Sequence, residues 1–248
     1  MTESRPHRWG VPFDIWTMET LRDRALAAMT TGTRLRVADV NVAKLVALTA
    51  DPAFRQTVVD ADAVVVDGMG VLWGLRLLGV AAPERLSGVD LLDQVAALCA
   101  AHGLRPFVVG AKPDVVERAV AELRRRHPGL CLAGWRDGYF PADSDDAVAA
   151  EIRASGAHCL IAALPYPRQD LFLARAHAAS GAALAFGVGG SLDVVAGDLR
   201  RAPRWMRSAG LEWFFRLVQE PVRLGPRYLS TNLRFLGLLL GQLVARRR

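Results

Sequence analysis

Cysteine and lysine are both scarce in this chain of 248 residues. The three cysteines, Cys99, Cys131 and Cys159, share no Cys-x-x-Cys spacing. An odd, scattered set excludes a disulfide framework and a cysteine-rich zinc module, and favours a reducing compartment with three buried thiols. No run of about 20 apolar residues occurs, so no transmembrane helix is expected. The longest such stretch, Phe235 to Ala245, is broken by Gln242. The start, MTESRPHRWG, lacks the apolar segment of a secretory signal. His7, His102, His127, His158 and His177 show no ligand spacing, so no metal site is expected. No Gly-x-Ser-x-Gly elbow, Gly-x-Gly-x-x-Gly fingerprint or phosphate-loop Gly-Lys-Ser/Thr is present.

Of 31 basic residues only Lys44 and Lys112 are lysine. From Arg200 onward there are eleven Arg against two Glu, a net of +9, which leaves −3 for the first 199 residues. The basic charge therefore belongs to the end of the chain and implies an anionic partner there. A membrane surface suits it better than nucleic acid, because the neighbouring aromatic residues accompany no nucleic-acid reader motif.

With 52% apolar and 23% charged residues the composition is that of a globular protein. Short apolar runs predict strands at Leu35–Val40, Ala63–Val66, Pro106–Val109, Cys131–Gly134, His158–Ala163 and Ala183–Val188. Helical patterns such as Val89–Ala101, Pro113–His127 and Gln169–Ser180 lie between them. The alternation predicts an α/β fold, Rossmann-like, with a mostly parallel sheet and helices on both faces. Pro203, Pro221 and Pro226 mark a C-terminal helical appendage, so residues 1–199 read as a catalytic domain and 200–248 as an appendage.

Ligands of parallel sheets bind beyond the carboxyl ends of the strands, so the residues after each apolar run carry the information. Asp67 follows Val64–Val66 directly and is either a general base, its pKa raised by burial, or a turn carboxylate. Asp39 and Asn41 end the neighbouring strand, where they can bond a hydroxylated substrate or cap the next helix. Gly189 and Gly190 lead into a helix containing Asp193, an arrangement that suits either phosphate or a plain turn. Asp143, Asp145 and Asp146 read as a solvated helix start rather than a metal-binding pair. Arg216, Arg223, Arg227 and Arg234 recur at spacings of 7, 4 and 7, which would align them on one continuous helix, although Pro221 and Pro226 argue against an unbroken one. Beside them, Leu229, Phe235, Leu236, Leu239, Leu240 and Leu243, with Arg246–Arg248 at the end, suit either a membrane interface or a core-packed helix.

The motifs form an ordered set: Val66-Asp67-Gly68-Met69-Gly70-Val71, then Pro83-Glu84-Arg85-Leu86-Ser87-Gly88, Asp137-Gly138-Tyr139-Phe140, Pro167-Arg168-Gln169-Asp170, Gly187-Val188-Gly189-Gly190-Ser191, and Gly210-Leu211-Glu212-Trp213 with Arg216, Glu220, Pro221 and Arg223. From about Arg36 to Tyr228 this resembles the WecG/TagA/CpsF family of bacterial glycosyltransferases. The resemblance implies an inverting, metal-independent hexosyltransferase that needs no cofactor. Its donor would be a UDP-sugar carrying N-acetylmannosamine, its uronic acid or glucose. Its acceptor would be a saccharide on undecaprenyl diphosphate, in cell-surface polysaccharide synthesis on the cytoplasmic face of the membrane. It implies Asp67 as general base, Arg85 and Gln169 as pocket residues, and Arg216, Arg223 and Arg227 as phosphate-holding groups that close over the site. Two positions depart from the family pattern. Asp39 stands where Thr is frequent, which puts a second carboxylate near the site, and Asp170 stands where Glu is usual. A different nucleotide-dependent enzyme and a non-catalytic membrane-surface module are the alternatives, and a homo-oligomer is compatible with the transferase reading.

Overall fold

The computed structural model describes residues 5–246. In chain order the elements are a hairpin of β1 (His7–Arg8) and β2 (Val11–Pro12), α1 (Met18–Thr31), β3 (Leu35–Val40), α2 (Val42–Ala50), α3 (Pro52–Val59) and β4 (Ala63–Val66). Then come α4 (Met69–Leu77), α5 (Gly88–His102), β5 (Pro106–Gly110), α6 (Pro113–Arg126), β6 (Gly134–Arg136) and, after a 3₁₀ turn at Ala142–Ser144, α7 (Asp145–Ser155). The chain continues through β7 (Cys159–Ala163), α8 (Arg168–Ser180), β8 (Leu184–Gly187), α9 (Ser191–Val195), α10 (Arg204–Ser208), α11 (Glu212–Gln219) and α12 (Pro221–Arg246).

Six strands form one sheet in the order β4-β3-β8-β7-β5-β6. Every neighbouring pair is parallel, so all six carboxyl ends share one rim. β4, β5, β7 and β8 are buried throughout, which is why they read as unbroken apolar runs. The helices bury one stripe each. In α6, Val115, Val116, Ala119, Val120 and Leu123 face inward while Glu117, Arg118 and Arg124 stay in water. Pro113 occupies the first position of that helix, where its missing N–H has no intrahelical role.

The fold is the expected α/β, Rossmann-like one, and the differences are local. The strand predicted at Cys131–Gly134 forms later, at Gly134–Arg136, paired with Phe107–Val109. Gly134 is what fits against the Phe107 ring, since a Cβ there would lie 2.5 Å from it. Leu130 packs into the core from the preceding loop, so the apolar cue was real but belonged to a loop. Cys131 is consequently exposed, not buried as expected; Cys99 and Cys159 are buried. Asp145 is not solvated either: it is buried and ion-paired to Arg168. The N-terminal hairpin, with Trp9 and Gly10 at positive φ in its turn, has strands too short for any period to show.

The tail forms three helices. α12 is continuous through Pro226, where the sequence argued for a break. Pro221 starts the helix and Pro226 lies in its second turn; the carbonyl that Pro226 leaves without a donor is that of Val222, a residue 90% exposed, so solvent can satisfy it. The break falls instead at Glu220, so Arg216 sits on α11 while Arg223, Arg227 and Arg234 sit on α12. The four do not form one helical face. Phe235 and Leu239 of α12 join the core that contains Trp9, Val40, Leu45 and Val66. No described helix is long and apolar enough to cross a membrane. Arg247 and Arg248 of the basic end lie outside the described residues.

Candidate functional site

The rim over β3 and β4 is built from two strand ends. Val40 registers with Val66, and the Asp67 N–H donates to the Val40 carbonyl at 3.0 Å, so Asn41 and Asp67 leave the sheet side by side. Gly68 follows at φ 93°, a conformation that favours glycine and turns the chain sharply away from the carboxylate. Asn41 is a cap as anticipated, its Oδ1 accepting from the Lys44 N–H at 3.0 Å. Its side chain also lies close enough to Asp67 to draw the pKa of that carboxyl down. The Asp67 carboxyl has its pKa pushed up to about 6, by burial first and the Asp39 carboxylate second, against the opposing pull of Arg85, Lys44 and Asn41. That is the range of a working general base.

Beneath the site is a residue that sequence reasoning passed over. Lys44, 2% exposed, donates to Asp39 Oδ1 at 2.9 Å and to Asp170 Oδ1 at 3.1 Å. Burial alone would lower its pKa, but Asp170 and Asp39 outweigh burial and hold it above the ordinary lysine range. Asp170 is 3% exposed, and its Oδ2 is buried without a hydrogen-bond partner. The available signal was composition: a lysine inside the apolar run Val42–Ala50 needs a buried partner.

Beyond β8, Gln169 fills the space over Gly187, where a Cβ would lie 1.9 Å from its Nε2. Its Oε1 accepts from the Gly189 N–H at 2.9 Å, so this buried amide shapes the glycine turn from behind. Arg216 lies over the front of that turn: a Cβ on Gly190 would meet its Nη2 at 2.5 Å. Asp193 stands beside it, its pKa raised by burial and drawn back by its own backbone N–H and by Arg216. α9, the helix that begins here, has only five residues.

The appendage is latched to this rim by charge. Arg85 is ion-paired to Glu212 at the start of α11, and Arg201 to Asp90. Arg223 pairs with Glu220, and the Arg227 guanidinium stacks 4.9 Å from the Tyr166 ring centroid, over the loop after β7. Glu212 stands in the sequence only as part of a motif, and neither it nor Tyr166 is given a role there, since their partners are far away along the chain. The structure thus gathers Asp39, Asn41, Asp67 and Arg85 at the β3–β4 end, and Gln169, Gly189, Gly190, Asp193 and Arg216 around β8. Arg227 reaches the β7 loop, and Arg223 is directed to Glu220. A cleft of about 390 Å³, lined in part by Met69, Arg85, Asp90 and Arg207, opens beside Arg85 between α4 and α10. Among the described residues no group of three or more His, Cys, Asp or Glu is placed to hold a metal ion.

Chemically, the rim offers a raised carboxylate at one end and the Arg216 guanidinium over a glycine turn at the other. The family model described as "Glycosyl transferase WecG/TagA/CpsF family" matches residues 7–248.

Proposed function

The chain belongs to the WecG/TagA/CpsF family of glycosyltransferases, and on that premise we propose that it transfers a hexose, with inversion, from a UDP-sugar to a saccharide carried on a lipid diphosphate. The observation that carries this reading is Asp67, a carboxyl raised to about 6 where β4 ends beside β3, followed at once by Gly68 at positive φ. Asp67 takes the proton of the acceptor hydroxyl while that oxygen attacks the anomeric carbon from the face opposite UDP. The bond from that carbon to the phosphate oxygen breaks, UDP departs with the electron pair, and the proton passes from Asp67 to solvent. Asp39, Asn41 and Arg85 are assigned to the acceptor side, Asp39 where the acceptor meets the transferred sugar. Gln169 and Asp170 shape the donor side from within, and the Gly189–Gly190 turn with Asp193 approaches the diphosphate. Arg216, Arg223 and Arg227 neutralise the leaving charge, as guanidinium groups suit phosphate oxygens and make a metal or other cofactor unnecessary.

In this reading residues 1–199 carry the base and the sugar pocket, and 200–248 add the phosphate-holding arginines and the membrane contact. Leu229, Leu233, Leu236, Leu240 and Val244 form an outward stripe on α12, opposite the side docked on the body, with Trp213 and Phe214 of α11 also exposed. Apolar side chains beside arginine suit the interface of an anionic leaflet, here the cytoplasmic face of a bacterial membrane. The test is UDP release from a panel of UDP-sugars, with and without an undecaprenyl-diphosphate-linked sugar. Acceptor-dependent release that falls at least tenfold in Arg216→Ala supports the assignment. Absence of both release and UDP binding in folded protein with lipid present contradicts it.

A further inference from the structure

The rim is charged unevenly. Over β4 and β3 the polar groups are Asp67, Asn41 and Asp39; over β8 and β7 Arg216 and Arg227 approach from the appendage. Lys44, under the acidic end, is sealed from solvent and committed to two carboxylates of the body, so it cannot bind a ligand. Its single charge is divided between Asp39 and Asp170, and Asp170 keeps one buried oxygen without a partner. Arg85, the other cation near Asp67, is already ion-paired to Glu212. The reacting sugar must sit between these ends, with its diphosphate toward the guanidinium groups and its anomeric carbon toward Asp67.

Resting on the transferase reading above, we infer that the site is selective for an uncharged transferred sugar, with Asp39, fixed in place by Lys44, as the residue that rejects a uronate. A sugar carboxylate lies within one ring of the reacting carbon, close to Asp39 and Asp67, where the two cations whose charges act on Asp67, Arg85 and Lys44, are both already paired with carboxylates. Like charges at that range in a partly desolvated site cost roughly ten- to a hundredfold in affinity. Rejecting a competitor by an unmatched charge is a common way to obtain specificity. Hydroxyl groups of a neutral sugar, by contrast, can donate to the Asp39 carboxylate.

The experiment compares UDP-glucose with UDP-glucuronate, and UDP-N-acetylmannosamine with its uronate, on the full chain. Each pair differs only in a hydroxymethyl against a carboxylate. Both kcat/KM for UDP release and the calorimetric Kd are measured, in wild type, Asp39→Asn and Asp39→Thr. The expected result is a preference of tenfold or more for the neutral member, narrowing to within about threefold in both variants through better binding of the uronate. Equal treatment of the pair, or preference for the uronate, overturns the inference while leaving the transferase reading intact. A strong preference unchanged in both variants overturns the role given to Asp39. If UDP-sugars bind but none is turned over, the transferase reading fails and the Kd ratio still decides selectivity. If none binds, both fail.

Discussion

Asp67 is held in a setting that favours its neutral form, and the chemistry proposed for it needs the charged one. Burial and Asp39 raise its pKa from 3.8 to about 6. A carboxyl raised on folding adds stability that is complete below its unfolded value and is lost as pH rises through the folded value. At pH 7 the ionised group therefore costs stability, on the order of 1–2 kcal/mol for a side chain that keeps some solvent contact. Asp67→Asn should melt higher than wild type at pH 7 and equally near pH 4, by calorimetry, while losing transfer by a factor of about 10² to 10⁴. Lys44 is the converse case. Lys44→Met leaves two carboxylates facing each other without their counter-ion, and equilibrium urea unfolding should show a loss of about 3–5 kcal/mol. Asp67 and Asn41 were legible in the sequence because each directly follows an apolar strand, and Asp39 because it lies at the carboxyl end of β3. The Lys44–Asp170 pair was not, because its members are 126 positions apart and only the sheet order brings them together.

The tail helix α12 is held by one side. Trp9 donates to the Leu238 carbonyl at 3.4 Å, its ring centroid lies 5.7 Å from that of Phe235, and Gly74 of α4 leaves room for both rings. A Cβ on Gly74 would lie 2.9 Å from Phe235 and 3.1 Å from Trp9. Phe235→Ala should cost about 2–4 kcal/mol and speed amide exchange along α12 before the sheet is affected. Gly74→Val should do the same by pushing the helix away. Protection unchanged in both would contradict this anchoring. The elements themselves were largely legible, because doubly covered parallel strands and amphipathic helices leave strong periods. The N-terminal hairpin left none, and its importance comes from contact with a helix 229 positions later. The unbroken course of α12 ran against the general behaviour of proline and was decided by an exposed carbonyl that water can serve.

Across the molecule, basic charge and exposed apolar side chains gather in the helices after residue 200. Among the described residues, the cores around Val108 and around Leu160 contain none after Ala196, whereas the core around Trp9 takes Phe235 and Leu239 from the tail. A chain ending at Gly197 should therefore fold with a lowered melting temperature and little transfer activity. The outward stripe on α12 makes a separate prediction. Leu233→Glu with Leu240→Glu should weaken sedimentation with anionic vesicles at least tenfold while leaving the melting temperature unchanged, because both side chains are exposed. Vesicle binding should also weaken as salt rises. The central claim, that Asp67 is the base of an acceptor-dependent sugar transfer, is tested most directly by the pH dependence of UDP release in wild type and Asp67→Asn. The account predicts a wild-type rate that falls on the acid side with a midpoint near pH 6, and a variant close to inactive at every pH. A variant that keeps the wild-type rate and the same acid limb would contradict it.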